Sequence, residues 1–265
     1  MKKSFTDQLG SLVEIQFPPK TVISLVPSQT ELLFDLGLEA EIVGVTKFCI
    51  HPAEKVKDRA KIGGTKKVDL RLIRSLQPDL IIGNKEENTK EDIEALRQEF
   101  PVWMSDIHTL EQAMDMIMQM GELFNRQPES AYLNHLIQGG FSDLLELASR
   151  YALNKKAAYL IWKEPYLFAG QDTFINDILR YAGFSNVISQ SRYPEVILTE
   201  LKELAPEVLF LSSEPYPFRE KHKEELQTLL PETQIALVDG EMFSWYGSRL
   251  VRTVEYLFHL QQEFK

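Results

Sequence analysis

The sequence predicts an α/β protein in which two parallel-sheet lobes are joined by a long interlobe helix. Short β-branched runs alternate with helical patterns on both sides of a central region, and this alternation is typical of parallel sheets. The central region, residues 109–154, repeats apolar side chains at the spacing of a helix with one buried stripe. We therefore predict an N-terminal lobe at 1–108, a helical linker at 109–154 and a C-terminal lobe at 155–265, whose last helix packs back on the structure.

The first lobe begins with a β-branched run at 21–26 that lacks polar alternation, as expected for a strand buried on both faces. A helix follows, for which Ser28 is the predicted N-cap, with Glu31 three residues later as its capping-box partner. The remaining elements predicted in this lobe are strands at 42–45, 61–62, 78–82 and 101–104 and helices at 70–76 and 90–100. Their order predicts a doubly wound parallel sheet.

The linker is predicted to contain two helices in series, because Pro128 interrupts the apolar pattern. Proline is tolerated in the first turn of a helix, where its missing N–H costs nothing. A helix from Pro128 to Tyr151 would be about 35 Å long at ~1.5 Å per residue. A helix of that length can connect two lobes.

The second lobe repeats the pattern of the first, with strands predicted at 157–161, 208–211 and 235–238 and helices at 173–181 and 248–264. The segment 70–82, in which a helical stripe is followed by Pro78, Asp79 and a strand, matches 198–210 at an offset of 128. This correspondence predicts two similar lobes. The alternative is that a helix followed by proline, an acidic residue and a strand is a common local pattern in α/β proteins.

Composition excludes several classes of function. The formal charge of −10 argues against nonspecific nucleic-acid binding, which normally requires a basic surface. A single cysteine, Cys49, excludes an internal disulfide and a cysteine-rich metal site. The first residues supply neither an apolar signal-peptide core nor a cysteine for lipid attachment, so the sequence as written predicts a cytoplasmic protein.

Parallel sheets bind ligands outside the carboxyl ends of their strands, so the loops at those ends supply the candidate ligand-binding residues. In the first lobe these are Ser28, Gln29, Phe48, Thr65, Lys66 and Asn84, and in the second Trp162, Tyr166, Phe168, Tyr193, Glu241, Phe243, Trp245 and Arg249. The many aromatic side chains predict a large, flat, partly apolar ligand. The alternative is that half or more of the aromatic side chains pack under their own loops.

Motifs for catalysis are missing from the sequence. It contains no Walker loop, no Gly-x-Gly-x-x-Gly after the first strand and no Gly-x-Ser-x-Gly elbow, and its five histidines have no metal-ligand spacing. Cys49 and His51 share a loop but have no identified third partner. We therefore predict a noncatalytic binding protein without a metal or cofactor of its own. An enzyme would need an acid or base from a loop, for which Glu164, Glu214 and Glu241 are the candidates.

Four segments together resemble the class III periplasmic substrate-binding proteins, also called helical-backbone metal receptors. They are residues 21–37, 43–52, 76–82 and 243–249, and the likeness spans about residues 20 to 260 in order. The cobalamin receptors are the most similar members, followed by ferric-siderophore receptors. The resemblance implies two Rossmann-like lobes, a cobalt- or iron-containing chelate clamped between them, a monomer, a periplasmic location and an ABC permease as partner.

Position by position, the resemblance implies pocket aromatics at Phe48, Trp162 and Phe168 and a ligand loop at 241–245. Thr65 and Asn84 depart from it, because the cobalamin receptor has tryptophans there. Arg71 stands where that receptor has a glutamate that pairs with the transporter, and Thr199 and Glu200 lie at the equivalent place in the second lobe. These departures favour another chelate and oppose standard docking. The alternative function is a cytosolic enzyme or chaperone acting on a corrinoid or tetrapyrrole.

Overall fold

Two separate parallel sheets form in the computed structural model, which describes residues 1–265. The chain divides into two units. Unit 1 comprises Met1–Ile107, Glu111–Leu136 and Tyr246–Arg249, and unit 2 comprises His108–Leu110, Ile137–Trp245 and Leu250–Lys265. Each unit contains one of the sheets, as expected for an α/β protein with two lobes.

The sheet of unit 1 has five parallel strands in the spatial order β5-β4-β3-β6-β7. The strands are β3 (Val22–Ser24), β4 (Ile42–Val45), β5 (Ala60–Lys61), β6 (Leu80–Asn84) and β7 (Val102–Ser105), after an N-terminal hairpin of β1 (Lys2–Thr6) and β2 (Leu12–Gln16). The helices that follow are α1 (Pro27–Asp35), α2 (Ala53–Val56), α3 (Leu70–Leu76) and α4 (Lys90–Arg97). β3 and β6 are wholly buried, which explains their apolar runs.

The hairpin β1–β2 was not predicted, although β2 alternates buried and exposed residues along its length. Val13 and Ile15 supply its buried face. The turn between the strands is tied to the sheet, because the Gln8 backbone N–H donates to the Met104 carbonyl at 3.0 Å. Arg97 also pairs with the buried carboxylate of Asp7 at 2.9 Å. The N-terminus is therefore part of unit 1.

The predicted N-cap of α1 is wrong. The helix starts at Pro27, its N-cap is Val26, and no side chain caps it. Proline at the first helical position has the required φ and no orphan N–H, so it moves the start of the helix ahead of Ser28. Glu31 is buried inside α1 and pairs with Arg249 instead.

The central region forms two helices, α5 (Leu110–Phe124) and α6 (Gln127–Arg150), with Pro128 in the first turn of α6 as predicted. The division into units runs through α6, since residues up to Leu136 belong to unit 1 and those from Ile137 onward to unit 2. None of the helices combines the length and the apolar content needed to cross a membrane.

The sheet of unit 2 has the parallel order β10-β8-β11-β12, and β9 pairs with β8 in the antiparallel sense. Its strands are β8 (Lys155–Trp162), β9 (Leu167–Phe168), β10 (Phe184–Asn186), β11 (Val208–Ser212) and β12 (Gln234–Val238). Its helices are α7 (Phe174–Tyr181), α8 (Leu198–Leu204), α9 (Glu220–Leu229), α10 (Glu241–Ser244) and α11 (Leu250–Glu263). The short strands β9 and β10 were not predicted, because two or three residues carry no periodic signal.

The predicted repeat is present in the two units. α3 and α8 end at Leu76 and Leu204, and each is followed by a left-handed C-cap with φ 45° and ψ 60°, at Gln77 and Ala205. β6 and β11 begin three residues after the caps and are equally long. Every one of these positions is related by the offset of 128.

The C-terminal helix α11 packs within unit 2. The side-chain amide of Gln261 donates to the Leu144 and Tyr181 carbonyls, both at 3.2 Å. Phe264 makes an edge contact with Phe184 at 5.4 Å between ring centroids. Both contacts lie within that unit.

Candidate functional site

The carboxyl ends of β6 and β7 in unit 1 carry a buried network of amide and hydroxyl groups. The Ser105 hydroxyl accepts from the side-chain amides of Gln29 at 2.6 Å and Asn84 at 2.9 Å. The side-chain oxygen of Asn84, Oδ1, accepts from the backbone N–H groups of Glu86 and Glu87 and so shapes the following loop. Gln29 is fully buried and Asn84 is 2% exposed. These two predicted ligand residues hold strand ends together instead of presenting surface.

Thr65 is attached to the same network. Its carbonyl accepts from the Asn88 side chain at 3.0 Å, and the Asn88 oxygen in turn accepts from the Asn84 backbone N–H. Thr65 is 9% exposed. The predicted residue Lys66 is exposed beside it, and its ammonium group donates to the Glu86 carbonyl.

Phe48 is the exposed aromatic side chain of this edge. It is 51% exposed, in the loop that follows β4, and its neighbour Ile50 is 50% exposed. The Lys47 ammonium lies 5.0 Å from the Phe48 ring centroid. Because an apolar ring and a cation share one surface here, this loop can bind an apolar ring system that carries hydrogen-bond acceptors.

Unit 2 contains a cavity of about 580 Å³ at the carboxyl ends of β11 and β12. Its lining residues are Ser213, Glu214, Phe218, Leu237, Val238, Asp239 and Glu241. Of the predicted ligand residues, only Glu241 lines it. The volume is within the usual range for small-molecule sites.

Glu214 organises the wall of this cavity. One of its carboxylate oxygens, Oε1, accepts from the Trp245 indole N–H and from the Ser244 hydroxyl, both at 2.9 Å. The loop that follows β12 is fixed to the loop that follows β11, because the Gly240 N–H donates to the Ser213 hydroxyl at 2.9 Å. Trp245 is 8% exposed, so its indole is held largely within the protein.

Trp162 begins an aromatic cluster at the carboxyl end of β8. It is 39% exposed, and its ring meets Tyr216 edge-on at 5.6 Å between centroids. Tyr216 contacts Phe218 at 4.7 Å and His222 at 5.5 Å. This cluster therefore connects the exposed Trp162 ring to Phe218 in the cavity wall.

Tyr166 and Tyr193 are half-buried. Burial, followed by the neighbouring Glu225 carboxylate, raises the pKa of the Tyr166 phenol. The Arg192 guanidinium lies 5.8 Å from the Tyr193 ring centroid and 3.3 Å from the His108 ring nitrogen Nδ1. Both tyrosines keep some surface for a ligand.

Four of the predicted ligand residues are buried in the protein interior. Phe168 and Phe243 are fully buried, so they pack in the core instead of lining a surface. Ser28 is 5% exposed within α1, and Arg249 is 4% exposed in its ion pair. The sequence placed these residues near strand ends but carried no signal for the direction of their side chains.

The structure adds Ser213, Asp239, Tyr216 and Phe218 to the candidate site. Ser213 and Asp239 each come directly after a strand, which is the signal that could have selected them. Tyr216 and Phe218 belong to a loop whose path could not be read from its sequence.

Cys49 is buried between the hydroxyls of Thr30 at 3.1 Å and Thr46 at 3.2 Å. Burial raises the pKa of its thiol, so it is a poor nucleophile. No group of three or more His, Cys, Asp or Glu side chains is arranged to hold a metal ion.

A second cavity, of about 500 Å³, lies at the amino ends of β11 and β12 in the same sheet. It is lined by residues that precede β11 and β12, including Pro206, Glu207, Leu230 and Thr233. Ligands of parallel sheets bind at the opposite, carboxyl ends. We therefore place the candidate site at the carboxyl ends.

Comparison with known proteins agrees with the predicted fold class and family resemblance. A model of the family described as periplasmic binding protein matches residues 22–232. The vitamin B12-binding protein of Vibrio campbellii is 28% identical over 201 residues, which cover 74% of this chain and 71% of that protein.

Two solved structures superpose over nearly the whole chain. The periplasmic vitamin B12 binding protein BtuF of Vibrio cholerae gives a TM-score of 0.79 at 20% identity and covers 94% of this chain and 98% of its own. The apo form of the periplasmic heme-binding protein RhuT from Roseiflexus sp. RS-1 gives 0.79 at 20% identity, with coverages of 92% and 97%. At these identities the superpositions confirm the fold.

Proposed function

The chain belongs to the periplasmic binding protein family, and we propose that it binds a metal chelate, either a corrinoid or a ferric siderophore, as a solute-binding protein of the ABC-importer type. The observation that carries the ligand class is the pair of exposed aromatic rings at sheet ends, Phe48 in unit 1 and Trp162 in unit 2. Phe48 follows β4 and Trp162 is the last residue of β8, so both rings lie at the sheet ends where parallel sheets bind their ligands.

The polar groups around these rings favour a ligand rich in amides, hydroxyls or hydroxamates. The cavity near Trp162 is lined by the Glu214, Asp239 and Glu241 carboxylates, which accept hydrogen bonds from donors and repel anionic groups. Lys47 and Lys66 supply donors at the other sheet. A corrin with amide side chains or a neutral hydroxamate chelate suits the acidic cavity of unit 2 better than a polyanionic catecholate does.

Direct titration tests this proposal. Cyanocobalamin, a ferric hydroxamate and hemin absorb visibly and differently, so each can be added to the purified protein while tryptophan fluorescence and the visible spectrum are recorded. We expect saturable quenching by the corrinoid or the hydroxamate. A protein that binds none of these chelates would overturn the proposal, and selective binding of hemin would replace the ligand class.

We propose further that the chain is noncatalytic, because a buried thiol and hydrogen-bonded carboxylates offer no nucleophile paired with a base. The competing function is turnover of the bound chelate by an acid or base. Incubation with the preferred chelate, followed by mass spectrometry, tests for it. A product that disappears in Glu214→Gln or Glu241→Gln would establish an enzyme.

The proposed partner is an ABC permease. Arg71 and Thr199 are equivalent exposed positions on α3 and α8, related by the offset of 128, and Glu200 lies beside Thr199. A permease that docks here would need an acidic group opposite Arg71 and a basic group opposite Glu200. Fractionation of the host with an antibody to the native protein tests the importer role: recovery from the periplasmic or membrane-anchored fraction supports it, and recovery from the cytosol contradicts it.

A further inference from the structure

The segment Tyr246–Arg249, which we call the strap, belongs to unit 1, although Trp245 before it and Leu250 after it belong to unit 2. The helix α10 precedes the strap, and its first residue, Glu241, lines the cavity. Trp245 joins α10 to the strap. The strap is therefore joined through a single residue to the helix that carries Glu241.

A buried ion pair holds the strap to α1. Arg249 Nε and Nη2 donate to the two carboxylate oxygens of Glu31 at 2.8 and 2.9 Å. The Arg249 side chain is 4% exposed and that of Glu31 is 5% exposed. The two parallel hydrogen bonds fix both the distance and the orientation of the guanidinium group.

Gly247 brings the strap backbone against α1. Its φ is +126°, a region that residues with a side chain rarely adopt, and a Cβ there would lie 3.2 Å from the Ser28 carbonyl oxygen and 3.4 Å from Leu32 Cβ. The close approach and the ion pair are independent features of the same segment. Both fix the strap on one face of α1.

Burial of the Glu31–Arg249 pair carries a desolvation cost. Burial raises the pKa of Glu31 although Arg249 lowers it, so the desolvation of the carboxylate outweighs the attraction. Buried pairs of this kind can select one arrangement of the chain while adding little to the free energy of unfolding. Loss of one partner is costly, because the other charge stays buried after losing its two-point hydrogen bond.

We propose that Glu31 and Arg249 are positioning residues for ligand binding, which act by latching the strap to α1 and so holding Glu241 and Trp245 in the geometry of the candidate site. The proposal rests on the proposed function for its ligand. Both side chains are buried in their own pair, so the proposal has them act through the strap and not by contact with the ligand. The effect of the pair is transmitted along the short chain from Arg249 through Gly247 to Trp245.

Hydrogen exchange on the ligand-free protein tests the latch. In Glu31→Gln we expect exchange over residues 241–249 to become at least about tenfold faster, because the Arg249 charge, once it has lost the carboxylate, favours the detached strap. Arg249→Lys keeps the charge but loses the two-point hydrogen bond, so it should give a smaller increase in the same peptide. In a Trp162→Phe background, the Trp245 indole should also become more accessible to acrylamide, since Trp103 is fully buried.

Matched variants separate the latch from general loss of stability. Arg74 and Glu99 form an exposed pair of the same two-point geometry in unit 1, so Arg74→Gln should leave exchange over 241–249 unchanged. The double variant Glu31→Gln/Arg249→Gln removes both charges and should exchange more slowly than Glu31→Gln alone or Arg249→Gln alone. Wild-type exchange rates in Glu31→Gln and Arg249→Lys, or additive effects in the double variant, would overturn the proposal.

Chelate binding is then measured on the same variants. Loosening of the strap with a matching loss of affinity supports the positioning role. Loosening without any change in the affinity of a chelate that the wild type binds would overturn it. If the wild type binds no chelate, the exchange data still decide whether the latch exists, and only the proposed function fails.

Discussion

Asp79 and Glu207 hold equivalent positions in two different sheets. The Asp79 carboxylate accepts from the Thr21 backbone N–H at 3.1 Å and from that of Lys20 at 2.7 Å, and Glu207 accepts from the Lys156 backbone N–H at 2.8 Å. Asp79 thus ties the start of β6 to the segment that precedes β3, and Glu207 ties the start of β11 to the first residues of β8. The repeat at an offset of 128 is therefore a repeat of hydrogen bonding as well as of residue type.

These bonds should contribute to stability in unequal amounts. Asp79 is partly buried and accepts two bonds, so Asp79→Ala should lower the free energy of unfolding by about 1–2 kcal/mol. Glu207 is exposed and accepts one, so Glu207→Ala should cost under about 1 kcal/mol. Urea unfolding measures both, with the exposed Glu203→Ala on α8 as the control. An equal loss in all three variants would contradict the assignment.

The sequence predicted the strands and helices that are determined by short-range residue patterns. The β-branched runs located the long strands, the spacing of Leu70, Ile73 and Leu76 located a helix, and Pro128 located the start of α6. The repeat followed from the same local signals. For this reason the sheets and their order of elements were predictable without a structure.

The candidate site was less predictable, because it depends on side-chain direction and on distant partners. Strand ends identified Glu241, but nothing local distinguishes the buried Phe243 from the exposed Trp162. The partner of Arg249 lies 218 residues away in α1, and the sequence suggested a capping role for it instead. Contacts of that range are set by packing, which a single sequence does not show.

The exposed rings give the most direct test of the binding surface. Phe48→Ala and Trp162→Ala should each weaken binding of the preferred chelate by about 1 kcal/mol, or roughly fivefold in Kd, because each removes a ring contact. Titration of the chelate by visible absorbance measures this without relying on tryptophan. Tyr132→Ala is the control, since Tyr132 is 66% exposed on α6 and follows no strand. Unchanged affinity in both ring variants would show that the site lies elsewhere.

The thiol of Cys49 should be protected in the folded protein. Its pKa is raised chiefly by burial, so the reactive thiolate is scarce at about pH 8 and the sulfur is also covered. We expect slow labelling by a thiol reagent in buffer and complete labelling in concentrated urea, followed by mass spectrometry. Fast labelling of the native protein would contradict the buried position.

His222 should make stability depend on pH. Burial, followed by the positive charges of Lys221 and Lys163, lowers its pKa below the ordinary value of 6.5. As the pH falls through about 6.5, His222 therefore becomes protonated in the unfolded chain before it does so in the folded chain. The contribution of His222 to the free energy of unfolding is present above about pH 6.5 and is lost at lower pH. Urea unfolding at about pH 7.5 and about pH 5 measures the loss.

A substitution assigns this pH dependence to the residue. His222 Nδ1 accepts from the Arg219 backbone N–H at 3.0 Å, and an asparagine side chain at this position would retain an acceptor for that donor. The variant His222→Asn should therefore fold and lose less stability at the lower pH. His135→Asn on the exposed face of α6 should behave as the wild type. Identical pH dependence in His222→Asn and the wild type would remove His222 as the cause.

Two adjacent glycines in α6 should respond to alanine with opposite signs. A Cβ at Gly139 would meet no atom within 4 Å, whereas a Cβ at Gly140 would lie 2.6 Å from Val254 Cγ2 on α11. Gly139→Ala should therefore raise the free energy of unfolding by about 0.5–1 kcal/mol, because glycine in a helix interior is less favourable than alanine. Gly140→Ala should lower it by about 1–3 kcal/mol, since the added methyl group forces the two helices apart.

Urea unfolding of the two variants compares them at matched helix position and solvent conditions. If the clash with Val254 is the cause, removing its two methyl groups should relieve the effect. We therefore expect Gly140→Ala to be less destabilising in a Val254→Ala background than in the wild type. Stabilisation by alanine at both glycines would show that α6 and α11 pack less closely at this point. Destabilisation at both would show that Gly139 has a role other than permitting the helix, because nothing in its surroundings opposes a methyl group.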